Sequence, residues 1–213
     1  MQNKKMYIRF FCLGPFNSDF SIPAIQITDS SYVAYSEELL YRPGYEFFKN
    51  LKNKNFFLKF VHSAGRLENN VSVDLDKRRI YIDLAENIVY SANTQYGGNT
   101  LGLKKLAMRL TIKLAAEQGW LTEHMFLMAI NGPNSRKSYF AGAFPSACGK
   151  TSTAMITNEN IVGDDIIYIR EREGKAFAAN VERGMFGIID GVNEKDDPLL
   201  WKVLHTSNNI IFS

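Results

Sequence analysis

The segment at residues 138–155, SYFAGAFPSACGKTSTAM, runs from a strand-like stretch through a turn of small residues into a helix. Gly149, Lys150 and Thr151 complete the end of the phosphate-loop pattern G-x-x-x-x-G-K-[ST], but Phe144 stands where its first glycine belongs. Backbone N–H groups in such a turn, and the positive end of the helix dipole, point at a bound anion. The segment therefore predicts a strand–loop–helix unit that contacts phosphate, unless Gly-Lys-Thr stands at a helix start by chance.

Two adjacent acidic residues follow this loop. Asp164 and Asp165, in IVGDDIIYI, begin thirteen residues after Thr151 in an apolar, strand-like run. Neighbouring carboxylates repel each other and are costly to bury without cations, and hard divalent metals beside phosphates supply such cations. An exposed Asp-Asp turn is the alternative. Taken with the loop, the pair predicts a metal–nucleotide site.

A long helix is expected at residues 100–119, TLGLKKLAMRLTIKLAAEQG, ending at its glycine. On a helix that turns about 100° per residue, Lys104 falls away from the basic face and on a largely apolar flank. A lysine there usually extends its amine to solvent. If its neutral amine is instead held near a metal, Lys104, His124 and Asp165 form a nitrogen–nitrogen–oxygen set that suits manganese. The basic face itself consists of Lys105, Arg109 and Lys113.

The composition limits the class of protein. The chain has 213 residues, of which 46% are hydrophobic and 22% charged, as in an ordinary globular protein. No apolar run approaches the roughly 18 residues of a membrane helix, and a net charge of +3 is too small to indicate nucleic-acid binding. Cys12 and Cys148 form neither a metal spacing nor a disulfide framework. We therefore expect a reducing, cytoplasmic setting.

Strand-like runs bounded by turn residues predict a mixed α/β fold, with a strand-rich first segment leading into the phosphate-loop unit. The apolar strand expected at the end of the sequence lacks a partner, so we expect a fragment of a longer protein. Strands are expected at residues 6–15, 23–31, 55–63, 71–76, 78–84, 87–92, 124–130, 138–144, 161–170, 175–181 and 208–213; helices are expected at 43–53, at 100–119 and from Lys150.

Four segments together resemble one family. FPSACGKT, GDDI, QYGGNTLGLKK and EQGWLTEHM are similar to the GTP-type phosphoenolpyruvate carboxykinases, and the resemblance extends over nearly the whole chain. That family's loop carries Pro-Ser-Ala-Cys before Gly-Lys-Thr and lacks the first glycine, whereas the ATP-using branch has a glycine- and serine-rich loop. The resemblance thus explains Phe144 and favours the GTP-type branch.

The resemblance implies a domain division and an activity. Residues 1–120 would form part of the N-terminal substrate-binding domain, and residues 121–213 the first part of the nucleotide- and metal-binding kinase domain. The family decarboxylates oxaloacetate and transfers the γ-phosphoryl group of GTP to the resulting enolate, which gives phosphoenolpyruvate, CO2 and GDP. It takes Mn²⁺ in the active site and Mg²⁺ or Mn²⁺ with the nucleotide, and it implies no nucleic-acid or membrane partner.

The resemblance also implies metal ligands. Lys104, His124 and Asp165 resemble the ligands of the active-site manganese, although the lysine pair leaves Lys105 as an alternative to Lys104. Thr151 and Asp164 resemble the residues that support the metal bound with the nucleotide.

The loop and a glycine-rich turn resemble the remaining contacts. The turn at Tyr96, Gly97 and Gly98 resembles the one against which phosphoenolpyruvate packs. The catalytic candidates are Lys150 and Ser146, near the transferred phosphoryl group, and Cys148, whose place in the loop predicts a reactive thiol. The nucleotide- and phosphate-binding candidates are Ser146, Ala147, Cys148, Gly149, Lys150 and Thr151.

Parts of the family's site have no match in this sequence. The arginines that grip the substrate carboxylates and the aromatic pocket that holds guanine lie outside the matching region, so we expect the isolated chain to be inactive or nearly so. Three alternatives stay open: a pyrophosphate-dependent relative of the carboxykinases, another phosphate-loop kinase that converged on Gly-Lys-Thr, and a non-catalytic nucleotide-binding or assembly fragment.

Overall fold

The computed structural model describes residues 1, 3–50, 56–95, 101–145, 148–206 and 209–211. Within these ranges the chain folds as a mixed α/β protein rich in strands, which confirms the predicted class. The strands are β1 (Tyr7–Leu13), β2 (Ile22–Thr28), β3 (Arg42–Pro43), β4 (Leu58–Ser63), β5 (Leu67–Glu68), β6 (Val71–Ser72), β7 (Arg79–Asp83), β8 (Ile88–Ala92), β9 (Leu121–Glu123), β10 (Phe126–Asn131), β11 (Lys137–Gly142), β12 (Asn160–Gly163), β13 (Ile167–Arg172) and β14 (Lys175–Asn180). The α-helices include α1 (Ser31–Leu40), α2 (Tyr45–Lys49), α3 (Thr111–Gln118), α4 (Lys150–Ala154) and α5 (Pro198–Thr206).

The first part of the chain forms a six-stranded sheet in the order β3-β1-β2-β4-β8-β7. Strands β2, β4 and β8 run parallel, while β1 and β7 pair with their neighbours antiparallel. In β4 buried and half-buried side chains alternate, as the period of two in a half-covered strand requires.

One hydrophobic core joins this sheet to the later part of the chain. Phe11 and Phe60 of the sheet belong to the same buried cluster as Leu106, Ile166 and Tyr168. Because the cluster contains side chains from both sides of residue 120, the first sheet and the strands after it are stabilised by shared apolar burial.

The helix expected at residues 100–119 is present but irregular. Residues 101–104 are α-helical, Lys105–Leu110 form a π-helix, and α3 follows until Gly119, whose φ of 73° is left-handed. A π-helix leaves carbonyl groups without their usual partners. Here the Ala107 carbonyl accepts hydrogen bonds from the hydroxyls of Thr111 (2.8 Å) and Tyr168 (2.9 Å). The regular spacing assumed through this segment was therefore wrong.

Two three-stranded antiparallel sheets follow, in the orders β11-β10-β12 and β14-β13-β9. The single strand expected at residues 161–170 is divided between them, because β12 pairs with β10 whereas β13 pairs with β9 and β14. Asp164 and Asp165 lie in the break where the chain passes from one sheet to the other.

Other expectations fail locally. At residues 71–76 only Val71–Ser72 is strand, and a 3-10 helix follows at Leu75–Lys77. Residues 209–211 contain no strand, and within the described residues 43–50 the predicted helix at 43–53 is α2. Helices α1 and α5 were not predicted. In the part of the chain that the structure describes, no helix has both the length and the apolar character to cross a membrane.

Candidate cation and phosphate site

Three predicted metal ligands lie in mutual contact. Nε2 of His124 is 2.7 Å from Oδ1 of Asp165, and Nζ of Lys104 is 2.9 Å from the same oxygen. Nζ of Lys104 is also 3.1 Å from Nε2 of His124. It is Lys104, the ligand favoured over Lys105, that makes these contacts.

Strand pairing and the helix place these side chains. Glu123 pairs with Ile167 where β9 meets β13, so His124 and Asp165 lie at the same end of this sheet. The hydroxyl oxygens of Thr111 and of Thr122 in β9 lie 3.2 Å apart, within hydrogen-bond distance, and this contact connects the helix to the strand before His124. Lys104, the residue just before the π-helix, thereby faces the pair.

Lys150 joins the same carboxylate from the phosphate-loop helix. Its Nζ donates a hydrogen bond to Oδ1 of Asp165 at 2.8 Å and another to the backbone carbonyl of Asp164. The Lys150 side chain is only 12% exposed, so its ammonium is largely shielded from water. Sequence reasoning assigned Lys150 to phosphate and gave no sign of this contact, which joins residues fifteen positions apart in different elements.

The positive charges around Asp165 offset the effect of burial on its pKa. Burial alone disfavours the ionised carboxylate, but hydrogen bonds from Lys104 and Lys150 and their positive charges outweigh it, so the pKa of Asp165 is lowered. Burial also lowers the pKa of His124, and the charges of Lys104 and Lys150 act in the same direction against the opposing effect of Asp165. The site therefore favours an ionised carboxylate beside a neutral imidazole.

Two further buried acids, Asp164 and Glu182, interact electrostatically with this cluster. Burial and the negative charge of Asp165 raise the pKa of Asp164 to about 6. Burial and the charges of Asp165 and Asp164 raise the pKa of Glu182 to about 8, and the Tyr41 hydroxyl donates a hydrogen bond to Glu182 at 3.3 Å. Glu182 was missed by sequence reasoning, since nothing in NVERG distinguishes it from an exposed glutamate.

The donor set fits a divalent cation. Two adjacent ligands of an octahedral cation with bonds of about 2.1 Å lie about 3.0 Å apart, close to the 2.7, 2.9 and 3.1 Å that separate the atoms of His124, Asp165 and Lys104. No group of three or more histidine, cysteine, aspartate or glutamate residues suited to a metal occurs within the described ranges. The fit therefore depends on the lysine amine as a ligand.

The other predicted site residues are only partly described. Cys148 is exposed, and Gly149 precedes α4 with a left-handed φ of 84°. Thr151 follows Lys150 in the first turn of α4. The expectations for Tyr96, Gly97, Gly98, Ser146 and Ala147 fall outside the described residues.

Family models match both parts of the chain. A family model described as the phosphoenolpyruvate carboxykinase N-terminal domain matches residues 1–116, and one described as the phosphoenolpyruvate carboxykinase C-terminal P-loop domain matches residues 120–213.

Similar proteins extend over the whole chain. A protein named phosphoenolpyruvate carboxykinase (GTP) from Pyrococcus abyssi is 66% identical over 214 residues, which cover 100% of this chain and 35% of that protein. Proteins of the same name from Saccharolobus solfataricus and Chlamydia pneumoniae are 52% and 39% identical, over 100% and 93% of this chain and 33% and 35% of their own lengths. The chain thus spans about a third of the length of these relatives.

Proposed function

Because the chain belongs to the phosphoenolpyruvate carboxykinase family, we propose that it forms the cation- and phosphate-binding part of a GTP-dependent phosphoenolpyruvate carboxykinase. The observation that carries the proposal is the contact of Lys104 and His124 with one oxygen of Asp165. We further propose a domain boundary near residue 120, with substrate binding before it and nucleotide binding after it.

The proposed reaction has two steps. Oxaloacetate loses CO2, and the electron pair of the broken carbon–carbon bond forms the enolate of pyruvate. The enolate oxygen then attacks the γ-phosphorus of GTP, the bond to the bridging oxygen breaks, and phosphoenolpyruvate and GDP result. A divalent cation, Mn²⁺ in this proposal, would supply Lewis-acid stabilisation of the enolate charge when bound.

The cation ligands carry suitable charges for this role. Asp165 is kept ionised by its basic neighbours, and the lowered pKa of His124 keeps a nitrogen lone pair available. The amine of Lys104 would bind in its neutral form. Asp164 and Thr151 are assigned to the Mg²⁺ or Mn²⁺ that accompanies the nucleotide.

The loop residues are assigned to phosphate and substrate. Lys150 neutralises phosphate oxygens of the donor. Charge neutralisation and positioning are the main requirements of phosphoryl transfer. Tyr96, Gly97 and Gly98 are assigned to phosphoenolpyruvate. Ser146 and Cys148 are assigned to positions beside the transferred phosphoryl group. The residues whose backbone N–H groups are assigned to the phosphates are Ser146, Ala147, Cys148, Gly149, Lys150 and Thr151. We place the protein in the cytoplasm, a setting in keeping with two free cysteines.

A manganese titration tests the site. The free Mn²⁺ concentration is followed by electron paramagnetic resonance in the chain and in its Lys104→Ala and His124→Ala variants, with Lys105→Ala as the matched control on the neighbouring residue. We expect each of the first two to weaken Mn²⁺ binding at least about tenfold and the control to retain it. Unchanged affinity in both ligand variants would remove the proposed cation site.

A binding competition tests the phosphoryl donor. The chain with Mn²⁺ is titrated with GTP and with pyrophosphate, since a pyrophosphate-dependent relative would share the loop. Because the guanine pocket has no match in this chain, we expect GTP to bind through its phosphates; binding of GTP together with Mn²⁺ agrees with the proposal, whereas binding of pyrophosphate without measurable binding of GTP would favour the pyrophosphate-dependent alternative.

A further inference from the structure

Oδ1 of Asp165 has more nitrogen neighbours than it has lone pairs to accept hydrogen bonds. Three nitrogens lie within 2.9 Å of this atom: Nε2 of His124 (2.7 Å), Nζ of Lys150 (2.8 Å) and Nζ of Lys104 (2.9 Å). A carboxylate oxygen offers about two lone pairs. Oδ2 is also engaged, because Nζ of Lys104 lies 2.7 Å from it. A cation can therefore bind Asp165 only if one of these neighbours moves away.

Of these three neighbours, we expect Lys150 to move away from Asp165 when a cation binds. Lys104 and His124 contact each other as well as Asp165, in an arrangement that fits two ligands of one cation. Lys150 instead contacts only the acidic pair in the hydrogen bonds described, through Oδ1 of Asp165 and the carbonyl of Asp164. The proposed function assigns Lys104 to the cation as a neutral amine and Lys150 to phosphate as an ammonium; an ammonium cannot coordinate a metal, and at this distance its charge opposes that of an incoming cation.

We propose that Lys150 is the internal counter-ion of Asp165, which a divalent cation displaces, and that the displaced ammonium turns to the phosphate loop that carries it. The inference rests on the proposed function and deepens it. Cation binding releases the group that attracts phosphate, and phosphate binding draws that group away from the cation's ligand. The two ligands therefore bind with positive coupling.

The coupling has a measurable consequence. If phosphate or a similar anion strengthens Mn²⁺ binding by some factor, Mn²⁺ strengthens anion binding by the same factor. Couplings between two sites are commonly about 5- to 150-fold, so the effect lies within the range of equilibrium titration.

The variant Lys150→Met tests the displacement. Methionine is similar in length to lysine and removes the ammonium, so Mn²⁺ no longer competes with it, and we expect Mn²⁺ to bind about tenfold more tightly than in the unsubstituted chain. Lys137→Met is the control: Lys137 is exposed and bonds Asn160, not an acid. Circular dichroism checks that both variants are folded.

Sulfate is the probe for the anion. When sulfate replaces chloride at constant ionic strength, with the free Mn²⁺ concentration corrected for sulfate pairing, we expect tighter Mn²⁺ binding in the unsubstituted chain and no such gain in Lys150→Met. The tighter Mn²⁺ binding of Lys150→Met relative to the unsubstituted chain should persist at higher salt, because salt screens a buried charge contact less than it screens separated surface charges.

Several results would overturn the inference: unchanged or weaker Mn²⁺ binding in Lys150→Met, a sulfate effect that survives in that variant, or equal tightening in Lys137→Met. These are distinct from failure of the proposed function. If Lys104→Ala and His124→Ala abolish Mn²⁺ binding while Lys150→Met leaves it unchanged, the cation site stands and only the displacement fails. If neither ligand variant affects Mn²⁺ binding, both proposals fail.

Discussion

Nε2 of His124 lies 2.7 Å from Oδ1 of Asp165, although 41 positions separate the two residues in the sequence. The contact depends on the antiparallel pairing of β9 with β13. Local sequence determines neither partner's position, so the site forms only when the two strands have paired. Substitutions that remove a charge next to this contact should therefore change the pKa of His124.

The titration of His124 gives the first prediction. Lys150 lowers the pKa of His124 and Asp165 raises it, so Lys150→Met should raise this pKa and Asp165→Asn should lower it further. Nuclear magnetic resonance titration of the ring protons measures both. His205 in α5, whose Nδ1–H donates a hydrogen bond to the Trp201 carbonyl, serves as the internal reference. Shifts of the same sign in both variants would contradict this electrostatic arrangement.

The second prediction concerns Tyr168, whose hydroxyl bonds the Ala107 carbonyl within the π-helix. Tyr168→Phe removes that bond from a fully buried position and should lower the free energy of unfolding by about 1 kcal/mol. Because Ala107 lies three residues after Lys104, Mn²⁺ affinity should fall as well. Urea denaturation and the manganese titration measure the two effects. Tyr139→Phe, at an exposed tyrosine, is the control, and equal behaviour of the two variants would count against a role for the bond.

The third prediction concerns pH and Glu182. Its pKa is raised to about 8 in the folded chain, while an unfolded glutamate titrates near 4.3. Between these values the folded state holds a proton that the unfolded state has lost. The free energy of unfolding therefore falls as pH rises, by up to about 1.4 kcal/mol per unit from this group.

The variant Glu182→Gln should flatten that slope between about pH 5 and pH 8, because glutamine does not titrate. Denaturation at a series of pH values provides the measurement. Glu86→Gln is the control, since Glu86 is 67% exposed in its side chain and its substitution should leave the slope unchanged. A slope that Glu182→Gln does not alter would contradict a protonated Glu182.

The fourth prediction is that the 213 residues alone do not convert oxaloacetate to phosphoenolpyruvate. The arginines and the aromatic guanine pocket that the resemblance implies have no matching residues in this sequence. An assay couples phosphoenolpyruvate formation to a second enzyme in the presence of GTP and Mn²⁺. Measurable turnover that disappears in Lys150→Met would show that the chain is sufficient for the reaction.

The chemistry of the site could be predicted further than its geometry. Gly-Lys-Thr and the acidic pair mark residues whose types suit phosphate and cations, and Lys104 stood out by its place on the helix. The contact of Lys150 with Asp165 could not be foreseen, because it depends on how α4 lies against the break between two sheets. The raised pKa of Glu182 depends on burial that a single sequence does not reveal.

The fold, too, could be predicted from the sequence only in part. β1, β4 and β8 are rich in β-branched and aromatic residues and were predicted, whereas α1 was missed. Its sequence, SYVAYSEELL, contains several residues with weak helix propensity. Its start is set by the Ser30 side chain, which accepts a hydrogen bond from the N–H of Val33.

The π-helix at Lys105–Leu110 has a consequence for tolerance to deletion. A π-helix holds about one residue more per turn than an α-helix. Six residues that turn about 80° each cover nearly the same angle as five α-helical residues at about 100° each, so loss of one residue from this stretch restores regular winding with Lys104 at nearly its present angle. Loss of one residue from α3 would instead rotate the residues before it by about 100° relative to those after it, so the helix tolerates a one-residue deletion within Lys105–Leu110 better than one within Thr111–Gln118.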